Sequence, residues 1–463
     1  MAAAASLARW LDPERVRALS SALADPPKIA AERVIAAERV TELPLEPNPL
    51  YRQYGYFTGV DLTGVDPLGR GEAVGVPALG PLTVQIIHDA SGSRVRTSPD
   101  LPEGSVRFTP LAEIWLSGDA GAAAFYTPPT EFTDRLSALA AATLNRGYRL
   151  EIGAAAPGPV RVQDLSVLSR AREALSVRRQ LRVADGVSVI ATEELFSTAT
   201  PAGGQRLYAS DTELELGTAS KAVVLSVHAP DPEAVSIYFR RARLGHDSRM
   251  TWIWNGFGGF RTKVRNLTEL LEAGAVAEDL QTFFGEKTQS YDSGIEMRHV
   301  ATDTHGTSVT RGVFRDEARG MSRGLVRIEA EARRTLSYLS EHAMLLSRGA
   351  RSDTIPILEI LCRDVKATHS SSVAPVDPEK VFYLESRGIS RDRAVRMIGE
   401  GFLSHVLERS PIARLRELLY PHLATRWEGQ PILWDAANPP TLPAVEFGGP
   451  DANADWRFDA KLR

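Results

Sequence analysis

Four residues in the last third of the chain have side chain types that can bind iron. Glu359, Cys362 and His369 lie in or beside the stretch LEILCRDVKATH, and Glu341 lies upstream. A thiolate is a soft iron ligand and imidazole and carboxylate are weaker ones, so neighbouring strands carrying these groups could coordinate iron. The alternative for Cys362 is a small buried apolar residue. His369 suits a structural role as well as a metal-binding one.

A second group, His299, Asp303 and His305, has even sequence separations. On a single strand these three side chains would share one face, because side chains alternate between the two faces of a sheet. Such a face could hold a divalent metal ion. The spacing matches no recognised metal site, and hydrogen-bonded residues of a β-structure are the alternative.

Nucleotide-binding and disulfide chemistry find no support in the sequence. The glycine-rich run at residues 256–259 has neither the GxxxxGK[ST] nor the GxGxxG spacing, so it predicts a tight turn instead of a phosphate site. Cys362 is the one cysteine of the chain. A single cysteine excludes an internal disulfide and an all-cysteine metal site, and it is typical of a reducing compartment.

The composition is that of an ordinary globular protein. The chain has 463 residues, 43% hydrophobic and 24% charged, and this length predicts two or three structural units. Its 54 Lys and Arg against 58 Asp and Glu give a net charge of -4, so no overall field favours nucleic acid or anionic lipid. The N-terminus lacks the charged start of an export signal, and no apolar stretch reaches the roughly 20 residues that span a bilayer. We therefore expect a cytoplasmic protein without nucleic-acid or membrane partners.

Residues 1–147 predict a mixed, mainly helical N-terminal domain. Pro13 and the apolar residues that follow at helical spacing predict a first helix, and a second is expected at residues 29–40. A strand is expected at residues 83–87. A later helical pattern ends at Gly147, and this glycine sets the domain boundary because glycine is common just past helix ends.

Residues 148–376 predict a mainly-β core domain. Runs of β-prone residues, such as residues 187–190 and 222–227, are separated by short turns, and convincing helices are few. This pattern fits a sandwich, a barrel or a solenoid. Dipeptides that mark tight hairpins are sparse, which favours the β-solenoid.

Helical patterns return in residues 377–425. Ser390 can cap a helix with an apolar stripe that reaches Val406, and Ser410 begins a second helix that is expected to end before Pro421. Two short helices after a β-domain suggest a cap or a docking platform. Residues 426–463 are rich in Pro, Asn, Gly and Asp, and predict an extended tail.

A long motif covers residues 364–402, which read DVKATHSSSVAPVDPEKVFYLESRGISRDRAVRMIGEGF. This stretch resembles the signature of the SufB/SufD family of iron-sulfur cluster assembly proteins, with a DVKxxH turn, an FYLxSRGI segment and a helix that ends in GF. The resemblance continues upstream through residues 355–360 and 292–299. It extends from about residue 252 to residue 419.

The resemblance implies a right-handed parallel β-helix flanked by N-terminal and C-terminal helical regions. Family members form a cytoplasmic scaffold and are not enzymes. They pair with a SufB/SufD-type subunit, as homodimers or heterodimers, and bind a SufC-type ABC ATPase through C-terminal helices. No tightly bound cofactor is implied, but a transient iron-sulfur cluster would be held at the subunit interface.

The motif also assigns residues. The family's DVKxxH histidine falls on His369, and we add Glu341, Glu359 and Cys362 as candidate ligands. The ATPase contact would map onto the segment that follows the FYL sequence and onto the next helix. Its predicted residues are Arg387, Gly388, Ile389, Ala394, Ile398 and Phe402.

At its ligand positions the chain is more similar to SufD than to SufB. Ala367 stands where SufD proteins commonly have cysteine, and the neighbourhood of Glu341 lacks the cysteine of SufB proteins. One alternative is therefore an architectural module of this family that handles no metal. Another is a β-helix polysaccharide-active enzyme, which would need a carboxylate-lined groove and would generally be exported. The lack of an export signal argues against that enzyme.

Overall fold

A computed structural model describes residue 11 and residues 13–46, 57–117, 134–156, 158–199 and 203–448. Residues 1–10, on which the expectation about export rests, and residues 449–463 of the predicted tail lie outside these ranges. No helix within the described ranges is both long and apolar enough to cross a bilayer.

Most of the described chain consists of β-strands. In chain order they are β1 Thr83–Asp89, β2 Gly92–Thr97, β3 Val106–Pro110, β4 Arg146–Ile152, β5 Val160–Leu168, β6 Ala174–Val183, β7 Ser188–Thr198, β8 Arg206–Leu216, β9 Lys221–Ala229, β10 Ala234–Leu244, β11 Arg249–Gly256, β12 Arg261–Leu270, β13 Val276–Gly285, β14 Ser290–His299, β15 His305–Phe314, β16 Arg319–Ile328, β17 Thr335–Leu345, β18 Arg351–Ile360, β19 Val365–Pro375 and β20 Leu433–Trp434.

These strands form two long sheets. The first sheet has the order β19-β17-β15-β13-β11-β9-β7-β5-β1-β2, with β20 beside β7, and the second has the order β18-β16-β14-β12-β10-β8-β6-β4-β3. The pairs within each sheet are parallel, except that β2 and β3 are antiparallel to their neighbours. Because the chain alternates between the two sheets, each successive pair of strands adds one turn of a solenoid, about eight turns in all. The predicted mainly-β class and parallel β-solenoid are confirmed.

The corners of the solenoid depend on residues with a left-handed backbone. Asp247, Asp303 and Asp316 have φ angles of 53°, 58° and 58° at three of these corners. Aspartate tolerates this conformation better than most residues because its short side chain can hydrogen-bond locally. At the corner before β16, for example, the Asp316 carboxylate accepts the backbone N–H of Lys287 from the preceding turn at 2.9 Å. Successive corners are thereby tied to one another.

The interior of the solenoid has apolar edges and a polar middle. Along β5, Asp164 lies between Val162, which belongs to one buried apolar cluster, and Leu168, which belongs to another. Alternate residues of a strand face inward, so each turn contributes side chains to both clusters and to the band between them. Buried polar pairs in this band are Asp164 with Arg179, Glu193 with Arg240, and Gln281 with Ser293.

Helices before β4 pack on the outer face of the second sheet. They are α1 Pro13–Ala22, α2 Pro27–Glu42, α3 Leu111–Leu116 and α4 Arg135–Thr143. The predicted first two helices and the predicted strand at residues 83–87 are therefore present. The expectation that a helix ends at Gly147 is wrong, because α4 ends at Thr143 and Gly147 lies inside β4. A Cβ atom at this glycine would lie 2.8 Å from the carbonyl oxygen of Arg178, so close strand pairing explains the glycine.

Three helices follow the last strand of the solenoid: α5 Pro378–Ser386, α6 Arg391–Leu407 and α7 Leu415–Trp427. Ser390 precedes α6 as predicted, although its side chain makes no capping hydrogen bond. The expectation that a helix begins at Ser410 and ends before Pro421 is wrong, because α7 begins later and continues through the proline. Leu419 and Leu423 are buried on this helix, and their burial offsets the roughly 3 kcal/mol cost of an internal proline.

The segment after α7 returns along the first sheet. Ile432, Trp434, Leu442 and Val445 are buried in the same cluster as residues of α6 and α7. The backbone N–H of Leu442 also donates to the carboxylate of Glu194 at 2.8 Å. The described part of the predicted tail therefore packs against the solenoid.

Candidate functional site

The last turn of the solenoid carries three of the four predicted ligands. Its strands β18 and β19 end the two sheets, so each is paired on one side only. His369 lies on β19 opposite Leu339 of β17, and Glu341 lies two residues further along β17. Cys362 follows β18, and Glu359 lies near the end of that strand.

His369 and Glu341 lie on the same side of the first sheet. Val365 and Ala367, which precede His369 at alternate positions of β19, pack against the buried cluster that contains Leu339. Because side chains alternate along a strand, the exposed His369 shares their inner face. Strand spacing and rise place the Cα atoms of His369 and Glu341 about 8 Å apart. The structure thus brings these two predicted ligands together at the open end of the solenoid.

Glu341 is a buried carboxyl group that forms no ion pair within the described part of the chain. Its side chain is inaccessible to solvent, and its Oε1 atom accepts a hydrogen bond from Ser322. Its Oε2 atom has no hydrogen-bond partner among the described residues. Burial raises the pKa of Glu341 to about 7, although hydrogen bonds from Ser322 and from the backbone of Ile355 act in the opposite direction. The group is therefore poised between its neutral and charged forms near pH 7, and a bound cation would favour the charged form.

Cys362 and Glu359 have different surroundings. Cys362 is buried against Val326, Ile328 and Leu339, which is the setting of a small apolar residue. Glu359 points to the outside, because its neighbour Leu358 packs against the interior cluster. Its carboxylate forms an ion pair with Arg327 at 3.3 Å. The structure does not bring these two side chains into one ligand set with His369.

The described residues of this chain contain no group of three or more His, Cys, Asp or Glu side chains that could hold a metal ion. The expectation that His299, Asp303 and His305 share a strand face is wrong. His299 ends β14, Asp303 occupies a left-handed corner, and His305 begins β15 of the other sheet. Ring nitrogens of His299 are bonded to Thr304 at 2.8 Å and Ser337 at 3.2 Å. The hydrogen-bonded structural role is the one that the fold supports.

The residues predicted to contact an ATPase begin at the turn between α5 and α6. Gly388 has a φ angle of 83°, and its N–H donates to Glu385, while the N–H of Ile389 donates to Leu384. These two bonds form a Schellman motif, in which glycine is favoured just past the helix end. A Cβ atom at Gly388 would touch nothing within 4 Å, so the backbone conformation alone explains the glycine. Arg387, beside it, is exposed.

The remaining predicted docking residues lie on α6 and differ in exposure. Ala394 is buried, Ile398 is half-buried, and Phe402 packs against the cluster beneath the helix. Ala394 and Phe402 therefore help to hold α6 in place.

Sequence reasoning missed the more exposed apolar side chains of this region. Phe382 and Tyr383 on α5 are 72% and 57% exposed, and Met397 on α6 is also exposed. The available signal was the FYL sequence, since Phe382 and Tyr383 belong to the motif itself. Exposed aromatic side chains next to the Schellman turn form an apolar surface, which we call the α5–α6 surface.

A second missed feature concerns the partner of Glu341. Gly320, Ser322 and Gly324 have the GxSxG spacing, which in some hydrolases marks a nucleophile on a strand-to-helix turn. Here all three residues lie inside β16. Ser322 is buried and donates its hydroxyl to Glu341. The spacing therefore belongs to a strand of the solenoid and not to a nucleophile elbow.

Comparisons with known proteins agree with the motif. The family model described as SUF system FeS cluster assembly, SufBD core domain, matches residues 167–402, just over half of the chain. The iron-sulfur cluster assembly protein SufD of Bacillus subtilis is 26% identical over 88% of this chain and 96% of its own length. An iron-sulfur cluster assembly SufBD family protein of Staphylococcus saprophyticus is 30% identical over 37% of each chain.

A SufBD family protein of Mycobacterium leprae is 31% identical over 39% of this chain, and the match spans 21% of that relative's length. The family model covers the solenoid from the end of β5 to α6, and so includes His369, Glu341 and the α5–α6 surface. The chain belongs to the SufBD family of the SUF system.

Proposed function

We propose that this chain is a scaffold subunit of a SUF-type iron-sulfur cluster assembly complex and not an enzyme. The observation that carries the proposal is the match of the SufBD core model to most of the solenoid, to α5 and to most of α6. The alignment with B. subtilis SufD along nearly the whole of both chains supports the same role. In this role the iron-sulfur cluster is cargo, built and passed on.

The last turn of the solenoid is the proposed contact for a SufB/SufD-type subunit. β19 is an edge strand of eleven residues, and proline occurs only at its final position, so its outer edge is suited to pairing with another strand. β18 contains Pro356 in its interior, which removes one backbone donor from that edge. Val373 on β19 is 39% exposed, although it lies opposite the buried Ala343. A second subunit would cover this apolar edge.

The same contact would complete the ligand set. His369 is exposed on the inner face of β19, and Glu341 lies next to it with one unpartnered carboxyl oxygen. Two ligands from one chain are too few to hold an iron-sulfur cluster, so the partner's side chains would supply the others. We therefore place the transient cluster at the interface and keep Cys362 and Glu359 as candidates of lower rank, because one is enclosed and the other is ion-paired.

The α5–α6 surface is the proposed contact for a SufC-type ABC ATPase. Aromatic side chains are enriched at the centres of protein interfaces, and Phe382 and Tyr383 are exposed here without a covering element in the described chain. Behind this surface, Arg311 of β15 donates to the carbonyl oxygen of Phe402 at 3.0 Å. Motion of a bound ATPase would thus reach the solenoid through α6.

The test is co-expression of the chain with the SufC-type ATPase and a SufB-type subunit from the same source, followed by anaerobic purification and measurement of iron and sulfide. We expect a stable complex that carries both. A complex without iron and sulfide would identify the metal-free architectural module instead. Failure to form any complex would contradict the scaffold role.

A variant of His369 tests the ligand assignment. We expect His369→Ala to leave the fold intact, because the side chain is exposed, and to lower the iron and sulfide content of the complex. His246→Ala is the matched control, since His246 is an exposed histidine at a distant corner of the solenoid. An unchanged yield of cluster in His369→Ala would remove this residue from the site.

A further inference from the structure

Arg311 on the outer face of the first sheet is a half-buried cation without a carboxylate partner. Its Nη1 atom donates to the carbonyl oxygen of Phe402 at 3.0 Å, and its guanidinium carbon lies 4.7 Å from the centre of the Phe402 ring. Its Nε atom is buried and has no hydrogen-bond partner among the residues that the structure describes. Across the described ranges of the chain, no Asp or Glu forms an ion pair with Arg311.

Neighbouring arginines beneath the same helices are compensated. Arg315 directly follows β15, four residues after Arg311, and forms an ion pair with Glu286 at 2.5 Å. Arg409, just after α6, pairs with Glu278 at 3.4 Å. Removing a guanidinium from water without an opposite charge is unfavourable, and natural structures usually pair such groups. Of these three arginines, Arg311 is the one without a carboxylate partner in the described chain, so its charge favours binding of an external anion.

The second basic group near Arg311 is His342, which lies directly opposite Arg311 on β17. Ser372 lies opposite His342 on β19. The Nδ1 atom of His342 is 2.6 Å from the Ser372 hydroxyl, and its Nε2 atom is 3.5 Å from the Ser370 hydroxyl. These hydroxyl groups can donate to an anion as well as bond to the imidazole. One row across three strands thus presents a guanidinium, an imidazole and a hydroxyl.

The helix above contributes the third basic group. His405 lies on α6 three residues after Phe402 and is exposed. Burial lowers the pKa of His405 most, the charges of Arg311, Arg409 and His342 lower it further, and Glu408 raises it. Glu408 is itself engaged with Arg416 at 3.5 Å. The lowered pKa favours the neutral imidazole, so at this corner Arg311 supplies the positive charge and His405 supplies an N–H donor, in a chain whose net charge is -4.

We propose that Arg311, His342 and His405 form a binding site for a phosphate-type oxyanion. The donors come from β15, β17 and α6, and hence approach from several directions, which suits a tetrahedral ion with an acceptor oxygen in each direction. A planar carboxylate presents only two oxygens and is best matched by the fork of a single guanidinium. The Nη1 atom of Arg311 is already bonded to Phe402 and its Nε atom is buried, so neither two-pronged edge of this guanidinium is fully open to a carboxylate.

This site lies apart from His369, on the opposite face of the first sheet. Alternate residues of β17 face opposite sides, so Glu341 points inward and His342 points outward. The site contains none of the candidate cluster ligands and needs no residue of a partner subunit. The bound group is the phosphoryl moiety, whether it is free phosphate or part of a small phosphate ester.

Calorimetric titration of the full chain tests the site, with inorganic phosphate, glycerol 3-phosphate and acetate at constant ionic strength. We expect saturable binding of phosphate and weaker binding of acetate. Binding of glycerol 3-phosphate with similar affinity would assign the site to phosphate esters as well, and rejection of this ester would assign it to the free ion. Absence of saturable heat with both phosphate compounds, or tighter binding of acetate, would overturn the proposal.

The double variant His342→Gln with His405→Gln removes two of the three basic groups. Loss of charge-assisted hydrogen bonds predicts a Kd for phosphate raised at least about tenfold. His246→Gln is the control, and its Kd should equal that of the unmodified chain. If the double variant has an altered circular dichroism spectrum, His405→Gln alone replaces it, because this side chain is exposed. An unchanged Kd in the correctly folded variant contradicts the site.

Discussion

The two ends of the solenoid are finished in different ways. At the first end, the antiparallel strands β2 and β3 close the two sheets. Leu101, Val106 and Phe108 pack over the interior cluster there, with the Phe108 ring stacked 5.3 Å from that of Tyr148. At the last end, β18 and β19 have no comparable cover in the described chain, and Ile360 and Val373 are exposed. The first end is built to face water, whereas the last end is suited to a partner.

The two ends also differ in whether a buried carboxyl group has a cation beside it. Asp164, near the first end, is held by Arg179 through contacts of 2.6 and 2.7 Å and accepts the hydroxyl of Tyr148 at 2.7 Å. Burial opposes the charge of Asp164, but Arg179 and His88 outweigh it and hold its pKa well below the usual value. Glu341, near the last end, has no such cation among the described residues and has a pKa of about 7. The first end has internal charge balance, and the last end lacks it.

The largest effect is expected from breaking the charge balance of the first end. Arg179→Met leaves Asp164 buried without its cation, which should lower the free energy of unfolding by about 3 to 5 kcal/mol. The measurement is urea denaturation followed by circular dichroism. Ser322→Ala is the counterpart at the last end, and it should cost only about 1 kcal/mol because Glu341 can take up a proton. Equal losses in the two variants would contradict the difference between the ends.

The second effect follows from the raised pKa of Glu341. This pKa is about 7 in the folded chain against 4.5 for an ordinary glutamate, so between these pH values the folded state holds a proton that the unfolded state has lost. The free energy of unfolding therefore falls as the pH rises from 4.5 to 7, by about 3 kcal/mol in all. In Glu341→Gln this contribution is absent.

Comparing the unmodified chain with Glu341→Gln separates the effect of Glu341 from the effects of other buried carboxyl groups. One of these is Glu194, whose pKa is also raised to about 7 by burial. Glu341→Gln should match the unmodified chain in stability near pH 4 and exceed it near pH 8. Urea denaturation at a series of pH values gives both curves. Parallel curves would show that Glu341 ionises normally in the folded state and that the last end is not distinct in this respect.

The third effect concerns the exposed edges. Val373 on β19 and Val95 on β2 are 39% and 37% exposed, and each lies opposite a buried residue of the adjacent strand. Val373→Lys should weaken association with a SufB/SufD-type subunit about tenfold or more, because a lysine at a strand edge opposes strand pairing. Val95→Lys should leave association unchanged. Sedimentation of the purified mixtures measures both, and equal effects at the two edges would remove β19 from the interface.

The sequence predicts the fold because its signals are local and repeated. Runs of β-prone residues with few hairpin dipeptides lead to the solenoid, and the DVKxxH motif leads to His369 on its last strand. Long-range pairing is not visible in this way. Even spacing places Asp303 on one strand face with His299 and His305, because its left-handed corner is not visible in the sequence; in the structure Asp303 forms an ion pair with Arg334. The burial of Glu341 depends on register with Ser322 of the other sheet, which no local pattern encodes.

The smallest effect is expected on the outer face of the second sheet, where the two ends are alike. Glu151 of β4 lies 3.8 Å from Arg182, and Glu359 of β18 lies 3.3 Å from Arg327, each in an exposed ion pair. Exposed pairs of this kind contribute little to stability, because water and salt screen them. Glu151→Gln and Glu359→Gln should therefore lower stability by similar small amounts, measured by thermal unfolding at low and high salt. If Glu359→Gln lowers the iron content of the complex and Glu151→Gln does not, the two ends differ on this face as well. Glu359 would then be a ligand of the cluster.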